Sequence, residues 1–469
     1  MRRGSDGAAT LSDSRLDRRT RRLCGVIVLG AFATGLDVSV VNVGLTDIGA
    51  DLGAPLSQTQ WVATAYLLAL ALSLPVAGWL ARRHGTGVIW LNALTAFTVA
   101  SALCALAPGI GLLIAARVLQ GLAGGVLIPA GQTILGQAVG PERLGRVMGA
   151  LGIVVGAAPA LGPFVGGLIL TGLSWHWLFV INLPIGVVGV VLGRRMIPHG
   201  VATPAVRLHR SGVILATAGL PLVMFGMTQW GDAGKLTPTV GAALGAGVVI
   251  LVAFVVVSRR AENPLMDLSL YGVRGFRVGS VAALFSGALV FGSGLVFTLY
   301  FQLARDLDAL ATGLNLLGAA LATAVCAPFT GRWIDRYGPG PVALAGGFLA
   351  MVGSGALTVL PTTAPLVVVQ PLLVVFGAAV SLTAMPAGVA AYKAVRTDQL
   401  PDGVTQVNVL QRVGGSFGGA IFAVLIATRV ADPQNAFQVA FGALLVVSGC
   451  AAVAGWYLMR ATATRRADP

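Results

Sequence analysis

The sequence predicts an all-α polytopic membrane protein with fourteen transmembrane helices. Of its 469 residues, 56% are hydrophobic and only 10% are charged, whereas about a quarter of the residues in an ordinary soluble domain are charged. The apolar residues form uninterrupted runs of about 20 residues, the length of helix that crosses the hydrocarbon core of a bilayer. The runs are apolar on all sides and lack the alternating pattern of membrane barrel strands, so we expect helices.

The runs, numbered here as spans 1 to 14, fall into groups of six, two and six. The first six begin near Leu23, Trp61, Gly87, Ile110, Val147 and Leu178. A shorter pair begins near Gly212 and Thr239, and the last six begin near Val278, Leu310, Val342, Leu366, Val404 and Phe437. We expect a 6+2+6 arrangement, in which an inserted pair of helices separates two equivalent six-helix bundles.

This arrangement divides the chain into five parts. We expect a cytoplasmic tail at 1–22, an N-terminal six-helix bundle at 23–193, and a linker with two inserted helices at 194–277. A C-terminal six-helix bundle follows at 278–458, and a second cytoplasmic tail at 459–469. Duplicated bundles of this kind build transport sites at the interface between their repeats.

The positive charge predicts the orientation of the chain. The net charge is +14, yet the odd-numbered connections contain only Lys235, Arg305 and Arg429, and spans contain only Arg117 and Arg412. All other Lys and Arg residues lie in the termini or the even-numbered connections, which the positive-inside rule assigns to the cytoplasm. The basic residues therefore indicate topology and contact with the lipid bilayer, not nucleic-acid binding. Because Arg far outnumbers Lys and Ala and Gly abound, we expect a bacterial cytoplasmic (inner) membrane.

No motif of an enzyme, a nucleotide site or a metal site is present in the sequence. The four cysteines lie inside apolar spans without CxxC spacing, and the four histidines are scattered over connections. We expect no enzymatic activity and no cofactor or metal. Energy for any transport must then come from an ion gradient or from the gradient of the substrate itself.

Two connections repeat a short motif. Residues 78–85 read GWLARRHG and residues 331–338 read GRWIDRYG, and each connects the second and third spans of its bundle. Gly, Arg and Gly recur at the first, sixth and eighth places, although chance similarity of two Gly- and Arg-rich turns is the alternative. The candidate gating residues are Gly78, Arg82, Arg83, Gly85, Gly331, Asp335, Arg336 and Gly338.

These connections resemble the signature loop of the major facilitator superfamily, whose acidic residue and arginines hold helix ends together in one conformation. The second copy has the acid at Asp335, but the first copy has Arg82 at that place. We therefore expect Asp335 to dominate the gate.

Further motifs resemble the fourteen-helix drug:proton antiporter family within that superfamily, as in actinobacterial antibiotic-resistance exporters. They are LDVSVVNV at 36–43, ARVLQG at 116–121, GPFVGG at 162–167, WHWLFVINLPIG at 175–186 and NPLMDL at 263–268. The resemblance implies a major facilitator fold and a monomer that exports small hydrophobic drugs or antibiotics by proton-coupled antiport. It also implies that Gly162, Pro163, Gly166 and Gly167 form a pivot that favours antiport over leak.

Three charges lie well inside the predicted spans, namely Asp37, Arg117 and Arg412. A charge at membrane depth costs about 2.5–3.5 kcal/mol on insertion scales, which makes each a candidate functional residue. Asp37 and Arg117 lie at matching depth in spans 1 and 4. We expect Asp37 to carry the coupled proton and Arg117 to tune it, the alternative being an ion pair that only fixes helix packing.

Polar residues inside spans are candidates for the substrate cavity or for bonds between helices. They are Asn42, Gln120, Gln132, Asn182, Asn408, Gln411 and Arg412. For Arg412, an arginine that extends to the membrane interface is the alternative. Because the spans contain one acidic residue and two arginines, we expect neutral or weakly acidic hydrophobic cargo. There are two alternative functions. The protein transports a metabolite such as an amino acid or a sugar, or it is a membrane sensor that transports nothing.

Overall fold

The chain folds entirely into helices in the part that the structure describes. The structure is a computed structural model that describes residues 17–203, 208–429 and 431–464. The first group of helices is α1 (Arg18–Val43), α2 (Leu45–Asp51), α3 (Leu56–Ser73), α4 (Ala77–His84), α5 (Thr86–Ala105), α6 (Ile110–Val139), α7 (Leu144–Gly172), α8 (Trp177–Val180) and α9 (Asn182–Met196). Then follow α10 (Arg210–Ala233), α11 (Pro238–Arg260), α12 (Arg274–Leu299), α13 (Ala309–Tyr337), α14 (Pro339–Val359), α15 (Leu366–Ala394), α16 (Leu400–Ala427) and α17 (Pro433–Thr464).

Among the described residues, 13 helical segments are long and apolar enough to cross a membrane. Two of them join consecutive helices, α3 with α4 and α8 with α9, and a third extends α12 through a π-helical turn at Tyr300–Ala304. The predicted all-α membrane architecture is confirmed.

Several helices extend beyond the predicted domain limits. α1 begins at Arg18, inside the predicted tail 1–22, because Asp17 caps it by accepting a 3.2 Å bond from the Thr20 N–H. α9 continues to Met196, α12 begins at Arg274 and α17 continues to Thr464. A run of apolar residues marks only the hydrocarbon part of a helix, whose backbone bonds continue into polar sequence. The rest of the two predicted tails, 1–16 and 465–469, lies outside the described residues.

One end of the molecule, which we call the basic end, contains the start of α1, the end of α17 and the even-numbered connections. There the Gly87 N–H donates to the His199 carbonyl at 3.2 Å, and the Thr203 N–H donates to the Arg82 carbonyl at 2.9 Å. At the opposite end, Trp175 Nε1 donates to Asp51 Oδ2 at 2.7 Å. The long helices therefore alternate in direction between two distinct ends.

The repeated motif has the same backbone conformation in both copies. Gly85 and Gly338, at the eighth place of each copy, have φ angles of 88° and 89°, in the region that L side chains rarely adopt. Each glycine ends one helix at the basic end and begins the next, α4 to α5 and α13 to α14. This shared turn supports a structural repeat over chance similarity.

The inserted pair covers one seam between the two bundles. α10 packs on α3 of the first bundle and on α16 of the second, and α11 packs on α10. Val223 of α10 meets Gly247 of α11, and the far side of α11 is open, with Val249 67% exposed. Glycine lets the two helices approach closely, as is usual in membranes.

Candidate functional site

Asp37 lies at the centre of a fully buried hydrogen-bond network in the first bundle. Its side chain has no exposed surface, and its Oδ2 lies 2.5 Å from Arg117 Nη1 on α6. Its Oδ1 accepts from Gln120 Nε2 at 2.9 Å and from Asn182 Nδ2 at 2.7 Å. Charge-assisted bonds of this kind are about twice as strong as neutral ones. The carboxylate therefore joins α1 to α6 and to the start of α9.

Besides Asp37, Arg117 is held by groups from two other helices, α3 and α8. It is 1% exposed, and its Nε donates to the Val62 carbonyl of α3 at 2.9 Å. Its guanidinium carbon lies 4.1 Å from the centre of the Tyr66 ring and 5.8 Å from that of Phe179. Cation–π contacts stabilise a guanidinium most when both groups are removed from water. Arg117 is thus fixed in place independently of Asp37.

Gln120 completes the network because it binds both charges at once. Its Oε1 accepts from Arg117 Nη1 at 2.7 Å, and its Nε2 also donates to Ser101 Oγ at 2.7 Å. Two polar atoms of the site have no hydrogen-bond partner among the described residues, Asn182 Oδ1 and the Tyr66 hydroxyl. The site therefore contains one neutral ion pair with two unused hydrogen-bonding atoms beside it.

A cavity of about 190 Å³ lies between the two bundles. Its polar lining includes Gln132 of α6 and Asn408, Gln411 and Arg412 of α16. Gln132 Oε1 accepts from Asn408 Nδ2 at 2.7 Å, a bond that crosses between the bundles. A second cavity of about 450 Å³ shares Val290, Thr323 and Val380 with the first and reaches residues at the opposite end from the basic end.

The predicted cavity residues separate into three groups. Gln132, Asn408, Gln411 and Arg412 line the cavity. Gln120 and Asn182 line neither cavity and instead bind Asp37, because their helix faces turn into the first bundle. Asn42 lies on an exposed face of α1 and lines neither cavity.

Arg82 forms an ion pair that the sequence reasoning did not anticipate. Its guanidinium contacts the carboxylate of Asp402, in the first turn of α16, and the two side chains are 17% and 5% exposed. Arg82 also donates to the Leu265 carbonyl at 3.2 Å, within the 263–268 motif. Arg82 thus supplies a second contact between the bundles at the basic end, with the charges reversed from those at Asp335.

Asp335 makes the complementary contact from the second bundle to the first. Its carboxylate accepts from the backbone N–H groups of Gly145 at 2.9 Å and Arg146 at 3.1 Å, in the first turn of α7. Lys393 Nζ lies 3.8 Å away. A carboxylate is favoured at a helix N-terminus by the unpaired N–H groups and the helix dipole. Both repeated motifs thus bind a helix start in the opposite bundle.

The remaining candidate gating residues make close packing or aromatic contacts. A Cβ at Gly78 would contact the Asp402 side chain, and one at Gly331 would contact the backbone of Gly145. Arg83 lies 5.5 Å from the centre of the Trp79 ring, and Arg336 lies 5.2 Å from that of Tyr337. Gly78 and Gly331 therefore permit the approach that Arg82 and Asp335 need.

The glycines of α7 pack the helix against both bundles. A Cβ at Gly162 would collide with Ser39 of α1, and one at Gly166 would lie 3.2 Å from the Val40 carbonyl. Gly156, nearer the basic end, faces α13 of the second bundle instead. Gly167 has open space at its Cβ position, and the side chain of Pro163 lies outside the described part of the structure.

Among the described residues, no group of three or more His, Cys, Asp or Glu side chains is arranged to hold a metal ion. The four cysteines are free thiols.

Similarity to known proteins covers most of the chain. The model of the Major Facilitator Superfamily matches residues 27–419 and 279–469. A multidrug resistance protein B homolog of Mycobacterium tuberculosis is 34% identical over 421 residues, 88% of this chain and 77% of the relative. The lincomycin resistance protein LmrB of Bacillus subtilis is 30% identical over 412 residues, 87% of this chain and 85% of the relative.

Solved structures share the fold at low identity. The proton:xylose symporter XylE has a TM-score of 0.68 at 14% identity, over 94% of this chain and 95% of that one. The human organic anion transporter MFSD10 has a TM-score of 0.65 at 16% identity, over 93% of this chain and 100% of that one. With its two helical bundles, its repeated motif and these relatives, the chain is a multi-pass membrane transporter and not an enzyme, and it belongs to the major facilitator superfamily.

Proposed function

We propose that the protein is a proton-coupled antiporter that exports small hydrophobic drugs or antibiotics by alternating access. One observation carries the proposal: a fully buried carboxylate, Asp37, pairs with Arg117 outside the cavities that lie between the bundles. Ionisable groups inside membrane helices belong mostly to ion and proton pathways. Relatives named for multidrug and lincomycin resistance support drugs as the cargo class.

The proposal includes a topology of fourteen membrane-crossing helices in the 6+2+6 arrangement. To the 13 candidate spans it adds α7, whose 29 residues give a helix of about 43 Å, enough to cross a bilayer. The basic end, with both termini, faces the cytoplasm of a bacterial cell whose cytoplasmic membrane holds the protein as a monomer. Protons are the coupling ion, and no other cofactor takes part.

In this mechanism the protonation of Asp37 loosens the contact of α1 with α6. Neutralising the carboxylate removes the attraction to Arg117 and weakens the bonds from Gln120 and Asn182. A proton from outside binds Asp37 in the conformation with the basic end closed, after a local opening of the first bundle, because Asp37 is fully buried and lines neither cavity. Opening the basic end then exposes the cavity to the cytoplasm, where cargo enters and the proton leaves. Coupling follows because both events use one conformational change.

Everted membrane vesicles test the proposal. With an inward-acid pH gradient, the wild-type protein should accumulate hydrophobic drugs, and Asp37→Asn should abolish this accumulation. Asparagine keeps the size and one acceptor oxygen, and monodispersity in detergent shows that the variant folds. The matched control is Asp398→Asn, because Asp398 is a carboxylate 65% exposed in an exposed pair with Arg396. Gradient-driven accumulation that persists in Asp37→Asn refutes the proton-coupling role.

The same vesicles separate drug export from metabolite transport. Wild-type vesicles are supplied with labelled amino acids or sugars in place of drugs, with and without the pH gradient. Gradient-dependent movement of a metabolite and none of any drug would replace the cargo class while leaving the coupling intact. A susceptibility panel in an efflux-deficient bacterium, with wild type and Asp37→Asn, then measures export in cells.

A further inference from the structure

Arg412 is a cation in the cavity wall without an anionic partner among the described residues. Its guanidinium carbon lies 5.4 Å from the centre of the Phe291 ring on α12, and no described carboxylate forms an ion pair with it. Arg117, the other arginine inside a predicted span, is paired with Asp37. The two arginines therefore differ, since Arg117 is buried and paired, whereas Arg412 is only partly buried and keeps its charge available to the cavity.

Neighbouring amides add hydrogen-bonding groups to the same wall. Gln411 and Arg412 follow Asn408 by three and four residues on α16, so both lie on the helix face of Asn408. Gln132 uses its Oε1 to accept from Asn408 at 2.7 Å and from the Tyr392 hydroxyl at 3.4 Å. Its own amide nitrogen has no partner among the described residues, so it can donate into the cavity.

Close helix packing fixes this wall. A Cβ at Gly287 of α12 would contact the Gln411 carbonyl, and one at Gly414 of α16 would contact the Leu284 carbonyl. The two backbones therefore touch on both sides of Arg412. Phe291 is nevertheless 44% exposed and lines the cavity. The guanidinium and the aromatic ring are presented together from a rigid pair of helices.

The charge of the lining selects against cations. Among the described residues, no Asp or Glu lines either cavity, and Arg412 is the one charged residue that does. A cationic drug would meet an uncompensated positive charge in a site of low dielectric. A carboxylate matches the fork of N–H donors on a guanidinium, which binds such planar anions with two parallel bonds.

We propose that Arg412 binds an anionic oxygen group, such as a carboxylate, of an amphipathic cargo whose apolar part contacts Phe291 and Val290. The proposal rests on the proposed function only in taking this cavity as the cargo site. The sequence predicts neutral or weakly acidic cargo, and the proposal narrows this cargo class to molecules that are bound as the ionised acid. Arg412 is accordingly a specificity-determining residue.

A matched pair of fluorescent probes tests this preference by binding alone. Dansylglycine is a carboxylate at neutral pH, and dansylglycinamide has the same ring system without the charge. Purified wild-type protein in detergent should bind the acid at least 10-fold more tightly than the amide. Because a hydrogen bond to a charged group is strong, Arg412→Gln should weaken binding of the acid by about 10- to 100-fold and that of the amide by less than about 3-fold.

Two further variants make the test decisive. Arg412→Lys keeps the charge without the planar fork and should retain part of the preference, and it replaces Arg412→Gln if that variant does not fold. Arg396→Gln removes an arginine that is 80% exposed and should change nothing. Equal affinity of the wild type for both probes, or no binding of either, overturns the inference, as does an acid preference that survives in Arg412→Gln. Probe binding to the protein in detergent does not depend on a proton gradient. If gradient-driven export fails while the preference for the acid remains, only the proposed function is refuted.

Discussion

Breaking the ion pair between Arg82 and Asp402 should open the basic end of the protein. The two residues come from different bundles, so the pair exists only while α4 and the start of α16 are together. The variants are Arg82→Gln, Asp402→Asn and the double variant, each of which keeps a polar side chain of similar size. Arg82 also donates to the linker carbonyls of Pro264 and Leu265, so its loss releases that segment as well.

The burial of the pair sets the expected magnitude. Removing one partner of a buried ion pair costs about 3–5 kcal/mol, because the other charge is left without compensation. Arg82 is 17% exposed and Asp402 is 5% exposed, and we lower the cost to about 2–3 kcal/mol because water partly screens Arg82. At about 1.4 kcal/mol per factor of ten, each single variant should raise the open population by roughly 30- to 150-fold.

Thiol labelling at Thr405 measures this opening. Thr405 is 1% exposed and lies on α16 beneath the pair, where a Cβ at Gly78 would contact it. A Thr405→Cys reporter is placed in a chain without its four native cysteines. The rate of reaction with a maleimide in detergent then follows the fraction of molecules with the basic end open. Each single variant should therefore label roughly 30- to 150-fold faster than the reporter alone.

The double variant distinguishes a specific pair from general loosening. The double variant leaves no uncompensated charge. Its fold increase in labelling rate over the reporter should therefore be smaller than the product of the fold increases of the two single variants. Neutralising the exposed pair Arg396 and Asp398 provides the control and should leave the rate unchanged. Single variants that label at the reporter's own rate, or single effects that multiply fully in the double variant, refute the reasoning.

Two further variants probe α7 and the second motif. Gly162→Ala should lower the melting temperature in detergent and slow export, because its methyl group collides with Ser39, while Gly167→Ala, in open space, should match wild type in both measurements. Asp335→Asn keeps an acceptor for the Gly145 N–H but loses the charge, so Thr405→Cys labelling should rise by about 3- to 10-fold, less than for Arg82→Gln. The first expectation is contradicted if Gly162→Ala and Gly167→Ala export at equal rates. The second is contradicted if Asp335→Asn raises Thr405→Cys labelling more than Arg82→Gln does.

The sequence predicts the helices and one central contact because both follow from one-dimensional patterns. Apolar runs mark the parts of helices that face hydrocarbon, and equal depth in spans 1 and 4 predicts that Asp37 and Arg117 lie at one level. The two side chains are indeed in contact at 2.5 Å. Depth does not specify the direction in which a side chain points. For Gln120 and Asn182 the sequence therefore left open both cavity lining and bonds between helices, and in the structure they bind Asp37.

The partner of Arg82 could not be predicted from local pattern. Asp402 is far away in sequence, and only the folding of the two bundles brings it to Arg82. A signal was nevertheless present: an arginine replaces the expected acid in the first motif, and an acid stands in the first turn of α16. A reversed charge in one half of a repeat is thus a reason to search the other half for its complement.

The inserted helices make the two sides of the protein unequal toward the lipid. On one side α10 bridges α3 and α16, so a molecule dissolved in the bilayer meets a third helix before it meets the seam. On the other side α7 and α13 touch directly, through Gly149 and the Ala327 carbonyl, while Val325 of α13 is 62% exposed to the surroundings. Of the two seams between the bundles, only the one between α3 and α16 is therefore covered by an inserted helix, and the two similar bundles present unlike surfaces to the lipid.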